Sequence, residues 1–339
     1  MFELADNLYN QTVSPEMPKF KLWTSMGLLL TYKCPARCRF CYYRCNPDKG
    51  GLLSIDNALA AWRSLIKLAG PSAKIHITGG EPFLYWQHLS ELLEKAEKLG
   101  LGPVDMVETN AFWADSQAVV IERLKFLDSH NVKKIKISYD PFHAEFVEYR
   151  KVKLLADTAA QVLGSGRVMV RWQEYLDKGL DVMNLTEDEK MELFTESIKK
   201  YPCRFTGQAA AGKLCQVSAN KEVEEIAKSN CSKSFLSSKG IHIDPYGNVF
   251  SGTCSGIIVG NITNMPLEEI WRKFNPSKMD VLNVLFNEGP AGLLEKAIKQ
   301  GYEKSRLYSY KCHLCTDLRQ FFFDKGVEGS IIGPLDCYN

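Results

Sequence analysis

Hydrophobic positions along this chain recur in two rhythms. Short runs of two-residue alternation or unbroken apolar character predict strands at 27–33, 74–78, 104–108, 134–139, 167–172 and roughly 203–209. Between them lie segments with apolar residues at helical spacing. Ala58, Trp62, Leu65, Ile66 and Ala69 form one stripe; Leu89, Leu92, Leu93, Ala96 and Leu99 form the next, stopped by Gly100. Weaker stripes fall at 117–129, 151–163 and 187–200. Six strands alternating with five helices predict an α/β fold of right-handed crossovers around parallel strands. Periodicity leaves open whether the sheet is doubly wound or curls into a partial barrel.

After about residue 211 the rhythm changes. Residues 240–250 read as strand, Pro-x-Gly turn and strand, followed by a short helix from Pro266, a variable helical stretch and a Cys-x-x-Cys turn at 312–315. The expected organisation is an N-terminal extension (1–25), a parallel α/β frame (26–210) and a smaller C-terminal module (211–339). In either version of the frame, ligands gather at the carboxyl ends of the strands. Cys34, Cys38 and Cys41 follow the first predicted strand, Gly79-Gly80-Glu81-Pro82 the second, Thr109-Asn110 the third and Asp140 the fourth; Arg171 ends the fifth. All fall on one rim.

A formal charge of +2 in 339 residues excludes broad electrostatic capture of nucleic acid or an anionic membrane, so neither is an expected partner. The chain shows no basic-then-apolar signal peptide and no apolar run near the roughly 20 residues that span a bilayer. The expected compartment is therefore the reducing cytoplasm, where eleven cysteines point to metal ligation or redox chemistry rather than disulfides. The string Cys34-x3-Cys38-x2-Cys41 puts three thiols on one short loop. Three thiolates can hold three irons of a cubane cluster and leave the fourth open. A zinc site closed by Cys45 is the alternative for the same string.

With Phe40 before the third cysteine and Gly79-Gly80-Glu81-Pro82 at the second strand end, the loop resembles the signature of the radical S-adenosylmethionine (SAM) superfamily. The resemblance implies a partial (β/α)6 barrel and a [4Fe–4S] cluster on Cys34, Cys38 and Cys41 whose open iron chelates SAM. Reductive cleavage of SAM then yields a 5′-deoxyadenosyl radical that abstracts hydrogen. It implies that Phe40 borders the adenine, that the Gly79, Gly80, Glu81 and Pro82 backbone binds the methionine amino group, and that Ser138 and Asp140 contact the ribose. Arg171 is the expected partner of the methionine carboxylate. A flavodoxin- or ferredoxin-type reductant is expected.

Cys231, Cys254, Cys312 and Cys315 resemble the ligands of a twitch-type auxiliary domain, a smaller relative of the SPASM domains of this superfamily. The segment from Asp244 through Gly260-Asn261-Ile262 carries the likeness, which implies one second, fully ligated [4Fe–4S] cluster; structural zinc is the alternative. His313 is expected beside this set or in solvent, not as a ligand. Among the remaining cysteines, Cys215 and Cys337 are the candidate hydrogen donors to a substrate radical, and Glu108 and His143 are candidates for lining the substrate cavity. Modification of a ribosomally made peptide, by epimerisation or crosslinking, is the expected function. Oxidation or rearrangement of a small metabolite is the alternative, and a non-catalytic metal-binding protein a remote one.

Overall fold

The computed structural model describes residues 1–339 except 202, 213, 227–228, 253, 305–306 and 328–330. Five parallel strands follow one another along the chain: β1 (Ser25–Leu29), β2 (Lys74–Thr78), β3 (Val104–Thr109), β4 (Ile135–Ser138) and β5 (Val168–Arg171). Crossover helices Ile55–Ala69, Trp86–Lys98, Gln117–Ser129 and Tyr149–Leu163 connect them. Ser54 and Ser116 cap the first and third of these helices, each accepting from a backbone N–H three residues on.

With β6 (Gly240–Ile243), β7 (Asn248–Ser251) and β8 (Ile258–Asn261), the sheet order is β5-β4-β3-β2-β1-β6-β7-β8. From β1 to β5 each strand is added on the same side of its predecessor, so right-handed crossovers stack every helix on one face. A doubly wound sheet needs a reversal of order within the crossover strands, and none occurs among these five. The architecture is a partial barrel, open at β5 and β8.

Residues 203–209, expected as the sixth strand, are irregular and then helical at Gln208–Ala211. Gly207 takes φ +57°, and Gln208 N–H donates to the Cys41 carbonyl at 2.9 Å, so this segment braces the cysteine loop instead of extending the sheet. The sixth parallel place is taken by β6 (Gly240–Ile243), which pairs with the other edge of β1. Strands β7 (Asn248–Ser251) and β8 (Ile258–Asn261) continue antiparallel from it. The predicted hairpin is thus joined to the frame by its own strand ladder. Its turn is fixed by Asp244, whose Oδ1 accepts from the N–H groups of Tyr246 and Asn248, with Gly247 at φ +81°.

The N-terminal extension docks on the C-terminal part. Phe20 stacks on Trp271 at 6.2 Å, Trp271 Nε1–H donates to the Lys21 carbonyl, and Asn7 Nδ2 donates to the carbonyls of Trp271 and Phe274. Along β2, Ile75 and Ile77 are buried while His76 and Thr78 alternate onto the opposite, concave side. Register aligns His242, Gly27 and His76 in one row there. A Cβ on Gly27 would lie 2.4–2.5 Å from both imidazoles, which is why glycine stands between them. Among the described residues, no helix is long and apolar enough to cross a membrane.

Candidate active site

The loop after β1 carries the three thiols into a cavity at the carboxyl ends of β1–β5. Tyr32 N–H donates to Gly50 O and Cys34 N–H to Asn46 O, folding the loop back on itself. Cys41 N–H then closes on Cys38 O at 3.1 Å. The β2 end runs alongside: Gly80 N–H donates to Thr31 O (2.7 Å) and Glu81 N–H to Lys33 O (3.0 Å). A Cβ on Gly80 would sit 2.1 Å from Lys33 O, and one on Gly79 2.9 Å from Thr31 O. The glycine pair is therefore required by the approach of the cysteine loop. Since those N–H groups are committed to the loop, the carbonyl edge is what this turn has left for a cationic donor.

Glu81 is fully buried. Its Oε1 accepts from Phe83 N–H (3.1 Å) and Thr109 Oγ1–H (2.9 Å), and its Oε2 from Asn110 N–H (2.7 Å). Burial raises its pKa to about 7 against the pull of these donors. The carboxylate thus clamps the β2 turn to the β3 end, and Asn110 Nδ2–H reaches Cys34 Sγ at 3.5 Å.

Cys34 and Cys38 are shifted toward the neutral thiol, by burial first and then by neighbouring anionic groups, Glu81 foremost for Cys34 and Cys34 foremost for Cys38. Cys41 moves the other way, to about 6, chiefly through its hydrogen bond with Cys45; the Cys45 backbone N–H also donates to Cys41 Sγ at 3.3 Å. Crowded, desolvated thiols of this kind become thiolates when a metal centre compensates their charge. Although Cys45 joins the three in the cavity, no three His, Cys, Asp or Glu side chains among the described residues converge on one point as a lone metal ion requires. The donor set fits a cluster, whose corners keep the thiolates apart, better than closed zinc.

On the far rim Asp140 accepts from Phe142 N–H (3.0 Å) and His143 N–H (3.1 Å), capping the short helix Pro141–Ala144. It also meets His143 Nδ1 (2.8 Å) and Arg171 Nε (3.4 Å). Burial works against its ionisation, but His143 and then Arg171 outweigh it and hold the carboxyl below its ordinary range. Phe40 packs between Phe142 (4.9 Å) and Phe205 (5.3 Å). Below this rim, Glu108 accepts from Lys136 Nζ and Thr78 Oγ1, each at 3.2 Å, as a polar floor to the same cavity.

A second, smaller cavity gathers Cys231, Cys254, Cys312 and Cys315. Cys254 follows β7, Cys231 N–H donates to Leu285 O, and the last two lie about one turn apart at the start of helix Lys311–Asp324. Burial, then the other thiols, raises Cys231, and the same causes raise Cys312 to about 11. These four also fit a metal centre that stabilises thiolates.

Residues 28–163 match the radical SAM superfamily. This segment is a radical SAM domain. The chain is 29% identical over 152 residues to YydG of Bacillus subtilis (strain 168), by its name a peptide biosynthesis protein. That alignment covers 43% of the chain and 41% of YydG, so the match spans less than half of that relative's length. Among solved structures, anSMEcpe with bound AdoMet is 14% identical, with a TM-score of 0.48 over 89% of this chain and 93% of that one. SuiB of Streptococcus suis bound to precursor peptide SuiA is 15% identical, with a TM-score of 0.38 over 87% and 76%.

Within and beside the radical SAM domain, Cys34, Cys38, Cys41, Phe40, Gly79, Gly80, Glu81, Pro82, Ser138, Asp140 and Arg171 all line the one cavity, as do Glu108 and His143. Cys215 and Cys337 do not line it. Cys215 is buried and donates toward the Ala210 and Gly212 carbonyls; Cys337 Sγ lies 3.6 Å from Tyr32 OH, which donates to Asp244. His313 is fully buried, not solvated, between Tyr308 (5.1 Å) and Phe205 (5.9 Å). Sequence reasoning did not find Lys136 or Arg319. A signal existed for Arg319: it shares a helical stripe with Cys312, Cys315 and Phe322, an unexpected place for a charge.

Proposed function

We propose that the chain is a radical SAM enzyme that modifies a ribosomally made peptide by epimerisation or crosslinking. The supporting observation is the cavity in which the thiols of Cys34, Cys38 and Cys41, the Gly79–Pro82 carbonyl edge and the Asp140–Arg171 pair face one another at the strand ends. Cys34, Cys38 and Cys41 would hold a [4Fe–4S] cluster, with SAM between Phe40, the glycine turn, Ser138, Asp140 and Arg171. When bound, the cluster and SAM supply a 5′-deoxyadenosyl radical able to remove a hydrogen atom from carbon. Cys231, Cys254, Cys312 and Cys315 would hold a second [4Fe–4S] cluster, and a flavodoxin- or ferredoxin-type carrier would supply electrons.

The residues of the chain do the placing. Glu81 fixes the relation of the β2 turn to Asn110, and Asn110 donates to a ligand sulfur. Asp140 holds His143 and Arg171 at the rim. The Thr78–Glu108–Lys136 floor offers a carboxylate and an ammonium to a polar substrate segment, and the aromatic wall of Phe40, Phe142 and Phe205 excludes water. The similarity to YydG favours a peptide as that substrate.

The test is anaerobic incubation in deuterated water with SAM, dithionite and peptides encoded beside the gene. Release of 5′-deoxyadenosine together with deuterium gained, or hydrogen lost, at one peptide residue is expected. Absence of 5′-deoxyadenosine from fully loaded protein contradicts the radical reading, and its release with turnover of small metabolites alone contradicts the peptide reading.

A further inference from the structure

The second cavity contains a charge for which the described residues lining it supply no carboxylate. Arg319, one helical turn beyond Cys315, is only 3% exposed. Its guanidinium is held by neutral acceptors: Nη1 donates to the Ser255 carbonyl and the Tyr338 hydroxyl, both at 2.8 Å, and Nη2 to Thr316 Oγ1 at 3.2 Å. Nε is buried and finds no acceptor among the described residues. The groups on which its charge acts are the thiols of Cys254 and Cys315 and the Tyr338 phenol. Arg204 and Lys311 line the same cavity, and no Asp or Glu among the described residues does.

The chain is shaped to keep Arg319 there. Gly256, at φ +83°, has no room for a side chain, because a Cβ would lie 2.6 Å from Tyr338 OH and 2.8 Å from Arg319 Nη1. Tyr338 stacks on Phe323 at 4.6 Å and donates its hydroxyl to the Gly256 carbonyl. The same C-terminal segment is tied to the loop of the first three cysteines, since Arg44 donates to the Tyr338 carbonyl and Lys49 to that of Asp336. A guanidinium buried among neutral thiols is left without compensation, which folded proteins avoid. Four thiolates around a metal centre carry net negative charge and would supply it.

We propose that Arg319 is the fixed counter-charge of the four-thiol site, holding its metal centre in place and raising its reduction potential. This rests on reading Cys231, Cys254, Cys312 and Cys315 as cluster ligands. A buried positive charge stabilises the reduced, more negative state of such a centre over the oxidised one, and hydrogen bonds and charge near the sulfurs are established means of tuning it.

The test uses the full chain with Cys34, Cys38 and Cys41 all replaced by Ala, so that one thiol set remains. This parent is reconstituted anaerobically with iron and sulfide and titrated electrochemically with EPR detection. Arg319→Gln should lower the potential by a tenfold or greater change in the reduction equilibrium, about 59 mV for one electron. It should also lose iron to a chelator several-fold faster. Arg319→Lys should recover most of both properties. Equal potential and equal iron retention in parent and Arg319→Gln would overturn the proposal. If Arg319→Gln does not fold or load, Lys311→Gln decides it: a lowered potential supports tuning by the lining cations, and an unchanged potential overturns it. A parent that takes up zinc but no iron overturns the cluster reading itself, whatever Arg319 does.

Discussion

Removing the Glu81 carboxylate tests whether the site is built on a protein clamp or on ligand contacts. Glu81→Ala strips acceptors from three buried donors: the N–H groups of Phe83 and Asn110 and the hydroxyl of Thr109. Each unsatisfied buried donor costs about 1–3 kcal/mol, giving about 3–9 kcal/mol in total, with the lower end set by water entering the gap. Glu81→Gln keeps the acceptor for Phe83 and Thr109 but turns an amide NH2 toward Asn110 N–H, so about 1–3 kcal/mol is expected. Thr109 is the natural partner for a double-mutant cycle. Its Oγ1 also accepts from Ala111 N–H (3.1 Å) and Trp113 Nε1–H (3.0 Å), so Thr109→Val and Glu81→Ala should be strongly non-additive. The assay is urea unfolding of metal-free protein followed by far-ultraviolet circular dichroism. A Glu81→Ala protein within about 1 kcal/mol of wild type, yet unable to retain SAM, would refute the clamp and leave Glu81 a ligand contact.

Gly80→Ala should cost at least about 3 kcal/mol and abolish iron uptake at the first site, because the added methyl meets a backbone carbonyl that cannot move without the cysteine loop; iron analysis checks this. Asp140→Asn keeps a helix cap but loses the charge facing Arg171 and His143, so stability should fall by about 1–3 kcal/mol while SAM affinity falls on the order of tenfold by calorimetry. His242 is half-buried beside His76, and its pKa is lowered to about 4, first by desolvation and then by that neighbour. A depressed folded pKa stabilises the fold above the ordinary histidine value near 6.5 and loses that contribution as pH falls toward about 4. The loss is on the order of 3 kcal/mol, and His242→Gln should flatten the stability–pH curve across that window in denaturant titrations.

Much of the frame was legible because burial on one face imposes periodicity. The alternation Ile75, His76, Ile77, Thr78 and the helical stripes from Ala58 and Leu89 appear where their spacing puts them. The partial barrel came from the motif resemblance and not from periodicity, since curl depends on strand order, a long-range property that no local pattern contains. The sixth strand failed because a Cys-Arg-Phe-Thr run has strand composition but its neighbour Gly207 turns the chain to brace the Cys41 carbonyl. The reason for the glycine pair was also hidden: Gly79 and Gly80 are obliged by a loop roughly fifty residues earlier in the chain, visible only once β1 and β2 pair. The seven cysteines singled out by motif spacing line two cavities, Cys34, Cys38 and Cys41 in one and Cys231, Cys254, Cys312 and Cys315 in the other. Arg319 escaped notice because its meaning lies in what surrounds it.

The most direct test of the account is iron and sulfide content after anaerobic reconstitution, compared between wild type and the variant with Cys34, Cys38 and Cys41 replaced by Ala. The account predicts roughly eight irons falling to about four, one cubane cluster lost and one kept. Iron content unchanged by the substitutions would contradict it, since the three thiols at the end of β1 would then hold no cluster.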